Sequence, residues 1–344
     1  MSGSIEHIIS KSVKSMVPAS VKDTLRKLKP RTRLQKDLEL FVLDGIRFTP
    51  PLADFPPMVM LDTTTRCNLT CGHCPNSVLS KDAGFLGDMS DEIAHKVLDE
   101  IAREAPNTLT RLFDGGEPLV RKDIHKLIRF ATERGIRTVS INTNGTMLVK
   151  KRRMEIIEAG LQHIEVSLDA TTPETFLKIR ESPLFDRVVE NTLAYVEESK
   201  AFNPKNRVTV SFVLQTDNRH EVEAFKSFWE DKVDKVYIRE YHQHNNYMDD
   251  HGLFKNHGNP DRHPCPFLWD RIIVFHDGRV RFCEFDWKAD HAIGDISRQT
   301  LKEIWHGEAY RNLRESHVRG TFCHDFCREC TDWRQVNWDG NRKK

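Results

Sequence analysis

The stretch VMLDTTTRCNLTCGHC, residues 59–74, joins a strand signal to a cysteine loop without a break. Its first six residues are mostly apolar or β-branched, and its last eight carry Cys67, Cys71 and Cys74 in C-x3-C-x2-C spacing. The next cysteine is Cys265, so the loop offers three thiols and no nearby fourth. A closed tetrahedral metal site uses four ligands, and a centre with an open position is the mark of catalysis.

Working outward, β-rich runs recur at 59–64, 109–114 (LTRLFD), 137–142 (RTVSIN), 163–169 (HIEVSLD), 207–215 (RVTVSFVLQ) and 235–240 (KVYIRE). Helical patterns lie between them, as in 90–104, which opens on Ser90 as an N-cap, and 123–135, which ends on Gly135. Strands alternating with helices predict an α/β fold, a partial (β/α)6 TIM-type barrel over residues 56–240. Such sheets bind ligands at the carboxyl ends of their strands, where the cysteine loop sits. Beyond it, 241–264 is a polar, histidine-rich loop, 271–283 a hairpin around Asp277-Gly278, and 300–320 a helix ahead of the last cysteines. These form a small C-terminal α+β domain, 241–344, and residues 1–55 a basic helical N-terminal extension.

Hydrophobic content of 38% and charged content of 30% describe a globular chain with a core. A net charge of +1 gives no electrostatic case for nucleic acid. No apolar run approaches the ~20 residues that span a bilayer, and no secretory h-region opens the chain. A cytoplasmic location follows, in which clustered cysteines are metal ligands rather than disulfides. The basic N-terminus reads as a solvated helix, with weak peripheral membrane contact or partner docking as the sharper alternative.

His73 would complete a Cys3His zinc set only if it and Cys74 turned to the same ion, which adjacent residues rarely achieve. A cubane iron–sulfur cluster, held by thiolates, suits three cysteines better. The loop, with DGGEP (114–118) closing the second strand, resembles the radical S-adenosylmethionine (SAM) superfamily. The resemblance implies a [4Fe-4S] cluster on Cys67, Cys71 and Cys74, whose free iron is chelated by SAM. It assigns cofactor contacts to Gly115, Gly116, Glu117 and Pro118, to Asn142 and Asn144 in NTNG, to Ser167 and Asp169 in VSLDA, and to Arg180. The glycines would let backbone approach a charged ligand, so Gly116→Val is expected to abolish SAM binding and retain iron.

Cys265, Cys283, Cys327 and Cys330 resemble the twitch form of the SPASM extension, which implies one auxiliary [4Fe-4S] cluster. Five C-terminal cysteines cannot supply two auxiliary clusters, and Cys323 is a fifth: a replacement for Cys327 as ligand, a free thiol, or a catalytic hydrogen-atom donor. The family further implies a flavodoxin- or ferredoxin-type electron donor and hydrogen abstraction from an unactivated C–H bond. Residues 1–55 are short for a leader-binding domain, and the 241–264 loop suits hydroxyls, with His242, His244 and Asp250 as contacts. The expected substrate is a carbohydrate-like small molecule, dehydrogenated or epimerised. The alternatives are a peptide-modifying maturase and, in another class, a non-catalytic zinc-binding interaction protein.

Overall fold

The computed structural model describes residues 51–249, 262–334 and 336, so Asp250 and the N-terminal extension up to residue 50 lie outside the described residues. The six anticipated strands are β1 (Met58–Leu61), β2 (Leu109–Arg111), β3 (Val139–Thr143), β4 (His163–Ser167), β5 (Arg207–Leu214) and β6 (Lys235–Glu240). They pair in parallel and in chain order. Helical crossovers link them: α1 (Asp91–Glu104), α2 (Ile124–Glu133), α3 (Lys150–Glu158), α4 (Pro173–Arg180) with α5 (Phe185–Phe202), and α6 (Val222–Trp229).

The local chemistry explains these elements. Ser90 caps α1 by accepting from Ile93 N at 3.3 Å, and α1 buries Ala94, Val97, Leu98 and Ile101 at helical spacing. Gly135 takes φ +88° just past α2, a left-handed conformation that suits glycine. In β5, Val208, Val210 and Phe212 are fully buried on one pleat, and Ser211 faces the other. Because the strands are parallel, all six carboxyl ends open on one edge, and the loops that follow them converge there. The fold is the expected α/β partial barrel.

Two features depart from the local reading. The hairpin forms as anticipated, with β7 (Arg271–Val274) and β8 (Arg279–Arg281) flanking Gly278 at φ +94°. However, β7 also pairs in parallel with β1, from Met58↔Arg271 to Leu61↔Val274. The C-terminal segment thus extends the barrel's own sheet, giving the order β6-β5-β4-β3-β2-β1-β7-β8-β9, where β9 is Gly294–Asp295. The second departure is the helix expected over 300–320, which is two: α7 (Leu301–Trp305) and α8 (Glu308–Arg319). A Thr300–Glu303 capping box starts the first, and Gly307, extended at ψ 164°, resets the chain as N-cap of the second.

These helices close the core. Glu100 of α1 accepts from Leu301 N at 2.8 Å and Lys302 N at 3.0 Å, and the Trp305 indole donates to Ala53 O at 2.9 Å. Trp305 is fully buried, so Trp305→Ala should cost about 3–5 kcal/mol through the cavity it leaves. The check is a thermal melt; an unchanged midpoint would show that α7 does not carry the core. Among the described residues, no helix is long and apolar enough to cross a membrane.

Candidate active site

At the carboxyl edge of the barrel lies a cavity of about 290 Å³. Cys67, Cys71 and Cys74 all line it, because the chain leaves β1 directly into their loop. Two neighbouring donors face their sulfurs: Arg180 Nη1 is 3.8 Å from Cys71 Sγ, and Asn144 Nδ2 is 4.0 Å from Cys67 Sγ. Burial pushes the Cys67 thiol up to about 11 and the Cys74 thiol up to about 12. Burial disfavours the thiolate form there and a bound metal's positive charge would favour it, which suits a ligand loop better than a free nucleophile. His73 turns Nε2 toward the Asp169 carboxylate at 3.6 Å. Among the described residues, no three His, Cys, Asp or Glu side chains converge at single-ion distance. The three cysteines line one cavity, and a cubane takes a separate iron for each thiolate.

The loop after β2 is anchored by protein contacts, which give Gly116 a structural reason of its own. A Cβ on Gly116 would lie 2.2 Å from Thr64 O and 2.7 Å from Arg66 O. Gly116 is therefore required by the backbone of the cysteine loop, besides lining the cavity. Glu117 N donates to Arg66 O at 2.9 Å, and Asn76 Nδ2 bridges Thr65 O and Gly115 O at 2.7 Å each. The Glu117 carboxylate accepts from Thr143 Oγ1 at 2.8 Å, Leu119 N at 3.0 Å and Asn144 N at 2.7 Å. It ties the GGEP turn to the NTNG turn while lining the cavity. Pro118 starts a 3-10 turn behind them, and only Gly115, Gly116 and Glu117 of the four line the cavity.

The other anticipated cofactor residues divide the same way. Asn142, Asn144, Ser167 and Arg180 line the cavity. Asp169, fully buried in a left-handed conformation at φ +64°, stands behind them. Its Oδ1 accepts from Val213 N at 2.6 Å and its Oδ2 meets Arg180 Nη2 at 2.6 Å. Asp169 thus positions Arg180, whose Nε is buried without a hydrogen-bond partner among the described residues. A buried, uncommitted N–H beside a cysteine loop fits an anionic cofactor group.

The second cysteine set also assembles. Cys265, Cys283, Cys327 and Cys330 line one small apolar cavity walled by Phe267, Phe282, Phe285 and Phe326. Burial raises all four thiols, Cys330 to about 11 and Cys327 to about 12. Four buried thiols lining one cavity, with the Arg262 guanidinium on the same wall, again fit a metal cluster. Cys323 is exposed and lines neither cavity, so the structure does not bring it to the site.

His242 and His244 both reach the first cavity. Burial lowers His244 to about 3, so its ring is neutral, and the Trp287 indole donates to its Nδ1 at 3.4 Å. The loop bearing them is held by Asp332, which accepts from Gln243 N and Asn245 N at 2.7 Å each. The sequence reading missed the strand-borne charges Arg111 and Arg239, with Glu284 and Trp287, all on the cavity wall. Their signal was present: Arg111 and Phe113 alternate on one pleat and both face the cavity.

Comparison with known proteins agrees with this geometry. The family model for the radical SAM superfamily matches residues 61–228, and that for the iron-sulfur cluster-binding domain SPASM matches 265–331. The chain is 32% identical to the Fe-coproporphyrin III synthase of Methanosarcina barkeri over 185 residues, covering 53% of this chain and 43% of that protein. It spans about half the length of the curated relatives it matches. Among solved structures, BtrN in complex with AdoMet and 2-DOIA aligns with TM-score 0.54 at 20% identity, covering 80% of this chain and 92% of that one. SuiB of Streptococcus suis aligns with TM-score 0.61 at 13% identity, covering 96% and 83%. These structural likenesses are of fold.

Proposed function

Because this chain is a radical SAM enzyme with a SPASM iron–sulfur domain, we propose that it dehydrogenates a compact, polyhydroxylated, carbohydrate-like molecule. The observation that carries this is the wall contributed by the strands. Arg111, Asn142, Ser167, Ser211 and Arg239 project into the cavity from β2 to β6. Hydroxyl groups need such donors and acceptors once they leave water.

Bound there, SAM and the loop's cluster supply hydrogen-atom abstraction, and one auxiliary cluster on Cys265, Cys283, Cys327 and Cys330 supplies one-electron oxidation. The reading includes a flavodoxin- or ferredoxin-type electron donor. Among the described residues, the thiols lining the cavity are those of the cysteine loop, and Cys323 is exposed. That supports dehydrogenation over an epimerisation that returns hydrogen from a thiol. His242, with Nδ1 facing the Asp332 carboxylate at 3.5 Å, is the group placed to accept the proton that leaves.

The test is anaerobic turnover of reconstituted protein with SAM and a panel of sugars, aminocyclitols and short peptides. The expected result is 5′-deoxyadenosine together with a sugar-type product lighter by one pair of hydrogens. Stimulation by peptides alone would replace this reading with peptide modification. In the same assay, Cys327→Ala with Cys330→Ala should preserve 5′-deoxyadenosine formation and abolish the oxidised product. Full product from that variant would remove the auxiliary cluster from the chemistry.

A further inference from the structure

Arg111, Glu165 and Arg239 form a charged triad beneath the cavity. Arg239 binds Glu165 through both Nε, at 3.2 Å, and Nη2. Arg111 approaches the other carboxylate oxygen of Glu165 only to 3.9 Å. Among the described residues, Glu165 is the one carboxylate within ion-pair distance of Arg111. The rest of its guanidinium rests on Met58 Sδ at 3.9 Å and on the Phe113 ring at 4.5 Å. The remaining acid on this part of the wall, Glu284, is taken by Arg271, which Asp270 also holds at 2.7 Å. Glu240 also lines the cavity but is an exposed residue.

Two guanidiniums therefore share one buried carboxylate, and both line the cavity while Glu165 does not. Arg239 is committed to that carboxylate; Arg111 keeps most of its planar fork of donors free. A half-buried guanidinium packed against an aromatic ring and a thioether, with no oxygen at hydrogen-bond distance among the described residues, is incomplete as a structural ion pair. It is complete as half of a bidentate contact.

Resting on the carbohydrate-like reading above, we propose that the substrate carries a compact oxyanion, a carboxylate or a phosphate, and that Arg111 receives it. Glu165 holds Arg239, the second guanidinium, in place. The neutral His244 and the Ser211 hydroxyl then serve the uncharged part of the molecule. The substrate class is a sugar acid or a sugar phosphate rather than a neutral sugar.

Ligand-observed NMR titration of the anaerobically reconstituted enzyme with SAM tests this, using D-glucose, D-glucuronate and D-glucose 6-phosphate as probes. The expected result is that at least one anionic probe binds tighter than D-glucose, and the preferred one distinguishes carboxylate from phosphate. Arg111→Met should weaken that probe about 10–100-fold with iron content unchanged. Arg111→Lys, which keeps the charge and loses the fork, should fall between, and guards against a folding defect in the Met variant. D-Glucose binding as tightly as both anions would overturn the proposal and leave the carbohydrate reading standing. Unchanged anion affinity in Arg111→Met would overturn it as well. Failure of every sugar to bind would remove the carbohydrate reading, and this proposal with it.

Discussion

Replacing Cys67, Cys71 and Cys74 together with alanine is expected to remove about half of the iron and all SAM cleavage. The three thiols line one cavity and are protonated when no metal is present, since burial holds Cys67 at about 11 and Cys74 at about 12. Exchanging neutral thiols for methyl groups leaves the charge of the metal-free protein unchanged. The metal-free variant should accordingly melt close to the metal-free parent. The loss appears only when iron and sulfide are supplied, because ligation is what draws the protons off. Iron analysis, electron paramagnetic resonance and 5′-deoxyadenosine assay read the three parts separately. A variant that keeps its full iron would place the catalytic cluster somewhere else.

The second large effect is that of Gly116→Val, for which structure and sequence give different expectations. Read from the motif alone, the substitution blocks a ligand and spares the cluster. In the folded chain, the new Cβ lies 2.2 Å from Thr64 O, within the segment that leads into Cys67. Backbone cannot yield as a flexible side chain does, so the cysteine loop has to move. The expected outcome is loss of the loop's iron together with SAM binding, about as severe as the triple cysteine variant. Gly115→Ala is the control, because its Cβ would meet Asp62 Oδ2 and the Trp287 ring at 3.3 Å, a tight but adjustable fit. It should retain iron. If Gly116→Val binds iron normally while losing SAM, the motif-level explanation is restored.

The elements that sequence alone determined are those whose cause lies within a few residues. The C-x3-C-x2-C spacing brings three thiols into one turn whatever surrounds them. Ser90 caps α1 because its own side chain reaches Ile93 N, and Gly135 and Gly278 take left-handed conformations dictated by local turns. β-rich runs located all six parallel strands, and their alternation with helices implied the barrel and its carboxyl-edge site.

Tertiary structure decided what depends on partners far apart in the chain. The pairing of β1 with β7 joins segments about two hundred residues apart, and no local pattern encodes that register. Gly116 owes its need for a missing side chain to Thr64 and Arg66, and Glu117 finds its donors at Thr143 and Asn144. Asp169 resembled a ligand contact in sequence, yet it stands behind Arg180 because β5 offers Val213 N to its carboxylate. Cys323 shares a tail with Cys327 and Cys330 but faces solvent. Arg111 and Arg239 lie on strands separated by three others in the sheet, and meet only because the sheet curves both toward Glu165. A charge on a strand announces itself in sequence; whether it is neutralised there or left for a ligand is settled by which side chains the curvature brings within reach.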